Sequence, residues 1–131
     1  MLEFINDKNI NFGIVIRSNY KSKDIEFFTA KESNFQVGGM TRGKNYEVKA
    51  HVHSKSKRII ETTSEVLFIK NGKISIDFYN EKNNKISQKI INKGDIVVLL
   101  HGGHGIKFLE KSEIIEIKQG PYNDFADKSY I

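Results

Sequence analysis

The chain has no cysteine and no tryptophan, a single proline (Pro121) and only two methionines among 131 residues. Without cysteine there is no disulfide framework, no thiolate nucleophile and no thiolate zinc site. Any metal must therefore be held by histidine and carboxylate, donors that suit Zn, Mn, Fe, Ni or Co. No apolar run approaches the roughly 20 residues that cross a bilayer as a helix, and no signal-peptide pattern opens the chain. The expectation is a cytoplasmic protein with no membrane partner. No helical period is sustained, and there is no repeat, linker or low-complexity segment. One domain is expected over residues 1–131.

Hydrophobic residues make up 38% of the chain and aromatics 11%, a composition that builds a compact core. The formal charge is +5. The lysines are spread along the chain with no basic-aromatic alternation, which points to solvated strand edges and loops rather than a nucleic-acid surface. The excess charge leaves room for an anionic small molecule. Segments rich in Ile, Val, Phe and Tyr recur at short spacing: 13–17, 25–28, 34–37, 46–53, 58–70, 73–79, 86–91, 95–100, 106–110 and 113–119. Short strands separated by turn signals predict an all-β sandwich or barrel.

Asn71-Gly72 between apolar runs is a strong hairpin signal. It predicts Ile69 opposite Ile74, Leu67 opposite Ile76 and Glu65 opposite Phe78. One face of that hairpin carries five apolar residues and one carboxylate, Glu65. A charge on a core face is costly unless it is paired or bound to a metal.

Residues i and i+2 of a strand share a face, so a strand over Tyr46–His53 would hold the imidazoles of His51 and His53 over one point. Gly94-Asp95 leads into the apolar run Ile96–Leu100 and then to His101-Gly102-Gly103-His104-Gly105. Glycines there let the backbone bend and approach a ligand. His104 is a third candidate ligand, with His101 placed at the rim.

These residues resemble the two motifs of the cupin family. His51-Val-His53 stands as the histidine pair, and Glu65 is followed after six residues by Gly72. Gly94-Asp95 runs through an apolar strand to His104. The resemblance covers residues 43–119, preceded by N-terminal strands over 1–42 and followed by a tail over 120–131. It implies a double-stranded β-helix (jelly-roll) barrel in which His51, His53, Glu65 and His104 bind a divalent metal, with His51 and His53 catalytic. The chain departs from the pattern in the long His53-to-Glu65 spacing, in Leu100 where the family has proline, and in an apolar Tyr46, Val48, Ala50, Val52 face opposite the histidines. That face needs cover, and a homodimer is expected.

A second, weaker resemblance is to small ketoisomerase cupins acting on dTDP-keto-deoxysugars. It rests on length, the His-x-His pair and the tail over Tyr122–Ile131. Those enzymes use histidine as acid and base without metal, whereas this chain keeps Glu65. The resemblance implies isomerase- or epimerase-like work on a carbohydrate or sugar nucleotide. A small-molecule dioxygenase and a non-enzymatic sugar-binding module are the alternatives. Glu116, Lys118, Arg42 and Arg58 are read mainly as surface charges that together would suit a phosphorylated sugar or sugar nucleotide, and the roles of Gln119 and Tyr122 stay open.

Overall fold

The structure is a computed structural model that describes residues 1–124 and 128–131. Residues 125–127 of the tail lie outside the described residues. The described chain is all-β, with ten strands in three antiparallel sheets and no helix. No helix long and apolar enough to cross a membrane occurs among the described residues. The chain divides into two compact units, Met1–Tyr20 with Thr62–Ile131, and Lys21–Glu61.

The first unit holds two of the sheets. Strands β1 (Leu2–Asp7), β2 (Ile10–Ile16), β5 (Glu65–Asn71), β8 (Ile96–Leu99) and β10 (Glu113–Lys118) form a five-stranded sheet in the order β1-β2-β8-β5-β10. Strands β6 (Lys73–Tyr79), β7 (Lys85–Asn92) and β9 (Gly103–Phe108) form a three-stranded sheet in the order β7-β6-β9. One cluster of buried side chains joins them. Ile5, Phe12, Val15, Leu67, Ile69, Val97 and Leu99 come from the larger sheet, and Ile74, Ile76, Phe78 and Ile91 from the smaller. Alternation explains the set: along β6 the residues Ile74, Ile76 and Phe78 point in, while Asp77 and Tyr79 reach the surface side.

Between Asn71 and Gly72 the chain does not form the expected hairpin. β5 and β6 belong to different sheets and do not pair. Only Gly72 takes a positive φ, of 91°, whereas a type I′ turn needs two. The bend is a corner that carries the chain across the core from one sheet to the other. The five apolar residues predicted to share one inner face are all buried, because two sheets facing each other bury the same alternation as a hairpin.

The sheets do not close into the expected barrel. β9 is bonded to β6 alone and β10 to β5 alone, so each is an edge strand. Strand β1 falls within the N-terminal strands expected over 1–42, although no apolar segment before residue 13 marks it, and β9 begins at Gly103, so His104 sits on a strand rather than in a turn.

The second unit contains the ribbon of β3 (Ile25–Phe27) and β4 (Gly38–Met40). Its connecting loop is tied by Gln36, whose Nε2 donates to the carbonyls of Ala30 and Ser33 at 2.8 and 3.0 Å. Arg42 pairs with Asp24 and lies 4.6 Å over the Tyr46 ring. After Tyr46 the chain runs to Glu61 with no helix or strand, and every residue is exposed. The expected strand over Tyr46–His53 is not formed. Its alternating pattern is real, but a strand needs a neighbour for its backbone groups.

Candidate functional site

Glu65 opens β5, on the inner-face row of Leu67 and Ile69. Its neighbours in register are Leu99 on β8 and Lys118 on β10. His104 lies opposite Phe78 in the other sheet, and residues directly opposite share a face. The two inner faces therefore bring Glu65 and His104 together, with His104 Nε2 3.3 Å from Glu65 Oε2. Lys118 Nζ stands 3.7 Å from the other carboxylate oxygen and 5.4 Å from the centre of the Tyr122 ring. The Glu65 side chain is only 14% exposed. The hydrogen bond from His104 holds its carboxyl below the usual carboxylate range. Burial opposes this, and the charge of Lys118 adds to it.

Gln119 follows directly. Its Oε1 accepts from the Ser64 backbone N–H at 2.7 Å, while its Nε2 is buried with no hydrogen-bond partner among the described residues. A buried amide donor without a partner is suited to an oxygen acceptor. Sequence reasoning placed Lys118 at the surface and did not identify Ser64. The antiparallel register of β10 with β5 is the missing information, and no local pattern reveals it. His101 is exposed.

His51 and His53 lie in the second unit, and they form a pair of their own. Their ring centres are 5.2 Å apart with planes at 67°. His51 Nδ1 is 2.8 Å from the Lys49 carbonyl oxygen. A carbonyl only accepts, so Nδ1 carries a proton, and in the neutral tautomer so selected Nε2 has the lone pair. That is the arrangement in which a histidine ligates a metal. Two imidazoles on one tetrahedral ion, each bound at about 2.1 Å, have ring centres roughly 5 Å apart. The spacing of this pair fits.

The four expected ligands thus come as two pairs. Among the described residues, no three His, Cys, Asp or Glu side chains form a group that could hold a metal ion. Each pair alone is one ligand short of the three protein ligands usual at a catalytic zinc. In comparisons with known proteins, no family model matches the chain, no curated protein matches it, and no solved structure matches its fold.

Proposed function

We propose that the chain is a metal-binding enzyme of the cupin jelly-roll type, acting on a small anionic sugar or sugar nucleotide in an isomerase- or epimerase-like reaction. The observation that carries this reading is the meeting of Glu65 and His104 at 3.3 Å across two sheets. These are two residues that the motif resemblance selects from distant parts of the chain. The path of the chain supports the jelly roll: β5 and β6, β7 and β8, β8 and β9, and β9 and β10 each lie in opposite sheets.

In this reading His51, His53, Glu65 and His104 hold one divalent ion, Zn, Mn, Fe, Ni or Co. The donor set is borderline to hard, and His51 has its tautomer already set by Lys49. The ion would polarise a carbonyl oxygen of the ligand. Lys118 and the free Gln119 Nε2 supply donors for an anionic or hydroxyl-rich substrate. Thermal melts with each of the five ions test the reading. An ion present at about 100 times its Kd should add about 2.7 kcal/mol of stability, and His51→Ala and His104→Ala should each abolish the shift. If no ion moves the melt, the metal reading fails.

A second reading is favoured by the ion cluster itself. Glu65, His104 and Lys118 already form an acid–base set that can move a proton next to a carbonyl without metal. Deuterium wash-in from D2O into a panel of keto-sugar nucleotides, followed by NMR, separates the two. Exchange that survives chelation and is lost in Glu65→Gln supports the acid–base set. Exchange lost on chelation supports the metal.

A further inference from the structure

The two units treat their apolar residues differently. The first buries them between two sheets. In the second, Thr29 is the one buried residue, and the large apolar side chains are displayed. They are not scattered. In the ribbon, Ile25 lies directly opposite Met40, and Phe27 opposite Gly38. Opposite residues share a face, as do residues two apart on a strand. Ile25, Phe27 and Met40 therefore make one apolar face, and they are 46%, 61% and 52% exposed. A Cβ at Gly38 would meet the Phe27 ring at 3.0 Å, so the ring lies across the ribbon where no side chain stands. The other face is used within the unit. A Cβ at Gly39 would run into the Ser22 side chain and meet the Phe28 ring at 3.0 Å.

Charge follows the same division. Residues 21–61 carry nine basic and five acidic side chains, a net +4, and the rest of the chain carries 12 and 11, a net +1. The excess sits in residues 44–60, just after the ribbon. That stretch holds Lys44, Lys49, Lys55, Lys57 and Arg58 against one acid, Glu47. All are exposed, and none of the five cations has an ion pair among the described residues. Val48, Val52 and Ile59 are displayed between them. Unpaired cations interleaved with displayed aliphatic side chains match a surface that is both anionic and apolar. Nucleic acid would draw on cations and stacking aromatics. The one aromatic of the stretch is Tyr46, and Arg42 already lies 4.6 Å over its ring.

We propose that Lys21–Glu61 attaches the protein reversibly to an anionic lipid bilayer. The face of Ile25, Phe27 and Met40 enters the boundary between headgroups and acyl chains, and the cations of 44–58 lie on the headgroups. Such attachment draws on displayed apolar area together with attraction to anionic lipid, and it needs no spanning segment. The expectation of no membrane partner rested on the lack of a long apolar run, which excludes crossing as a helix and leaves lying on the surface open. Each cation near an anionic leaflet strengthens partition roughly five-fold, so a net excess of four gives a binding that salt readily reverses. Both elements belong to the second unit, and the attachment draws on nothing outside it. The sequence hid this because lysines occur along the whole chain, and their excess shows only when charge is summed by unit.

Wild type is sedimented with phosphatidylcholine vesicles, and with the same vesicles containing about one-third phosphatidylglycerol. It should pellet with the second and not with the first, and rising salt should release it. A chain carrying Lys55→Gln, Lys57→Gln and Arg58→Gln together should lose roughly 100-fold in partition. The absence of tryptophan supplies a depth probe. Phe27→Trp places the one indole of the chain on the apolar face. Its emission should shift to the blue on anionic vesicles and be quenched by bromine-labelled acyl chains. His51 and His53 are untouched in every variant, and circular dichroism checks that each folds.

Three results overturn the proposal. One is wild type that stays in solution with the anionic vesicles. Another is a triple variant that pellets as fully as wild type. The third is a Phe27→Trp protein that pellets but is not quenched, which would leave the ribbon face in water and the cations as a plain polyanion site. Salt-sensitive retention on a single-stranded oligonucleotide without vesicle binding would assign the cations to nucleic acid and equally overturn it. The readout needs neither metal nor turnover. Vesicle binding with metal-insensitive melts would sink the metal reading and leave the attachment standing, and metal-dependent melts without vesicle binding would do the reverse.

Discussion

Asp95 and Glu65 are both carboxylates set into an apolar wall, and they are held in opposite ways. Asp95 is buried. Its Oδ1 accepts from the Ser18 backbone N–H at 2.8 Å, and its Oδ2 accepts from the Asn92 backbone N–H at 3.0 Å and from Arg17 at 2.9 Å. Arg17 is itself fixed by Glu3 at 2.6 Å, and Glu3 by Lys89 at 2.9 Å. Glu65 is held by the side chains of His104 and Lys118. Backbone donors cannot turn away or titrate, so Asp95 is committed to the fold. Side-chain partners can do both, so Glu65 can exchange them for a ligand. Asp95 and Glu65 thus share a charge and differ in the partners that hold it.

The sharpest way to break the comparison is Asp95→Ala. It removes three hydrogen bonds and leaves Arg17 and two backbone N–H groups short of an acceptor. Breaking a buried pair of this kind costs about 3–5 kcal/mol, to be read from urea denaturation.

Glu65→Gln should have a smaller effect. It removes charge-assisted bonds worth about 1–2 kcal/mol at neutral pH. Were Glu65 an unpaired carboxylate in an apolar wall, the same change would stabilise the metal-free protein, so the sign of the effect is the test. The pH dependence follows from the lowered Glu65 pKa. The folded state favours the ionised form, so the contribution is fully present above the ordinary glutamate value. It is lost as pH falls through the folded one. Wild type and Glu65→Gln should converge in stability over that acidic window, as followed by chemical denaturation at stepped pH.

Lys70→Ala is the smallest change and serves as a control. Its pair with Glu113, at 2.8 Å, is exposed on both sides, and such pairs contribute under about 1 kcal/mol. A denaturation midpoint shifted as far as that of Glu65→Gln would show that exposure is not what ranks these ion pairs.

The sequence made the inner face legible and left the pairing obscure. Leu67, Ile69, Ile74, Ile76 and Phe78 announce themselves because burial follows side-chain period. Asn71-Gly72 misleads because a tight bend between two alternating runs serves a hairpin and a corner equally. Which strand lies beside β5 depends on residues far away, on β8 and β10. Lys118 was read as surface for the same reason. His51 and His53 show the limit from the other side: their spacing is that of a strand, but spacing supplies no neighbour. Glu65 stood out as the one carboxylate on an apolar alternating face, but that His104 lies on a strand and meets it was not legible, because that strand was expected to begin at residue 106.

The pairing of β2 with β8 has a further consequence. Gly13 sits beside Leu99, a separation of 99 − 13 = 86 residues. Contacts so far apart in the chain form slowly. At a synthesis rate of 5–20 residues per second, β8 emerges roughly 4–17 s after β2. Through that interval β1 and β2 can form only a two-stranded ribbon, which is marginal in water on its own. β8 lies between β2 and β5 in the sheet, so both wait for it, and the five-stranded sheet can be joined only once β8 has been made.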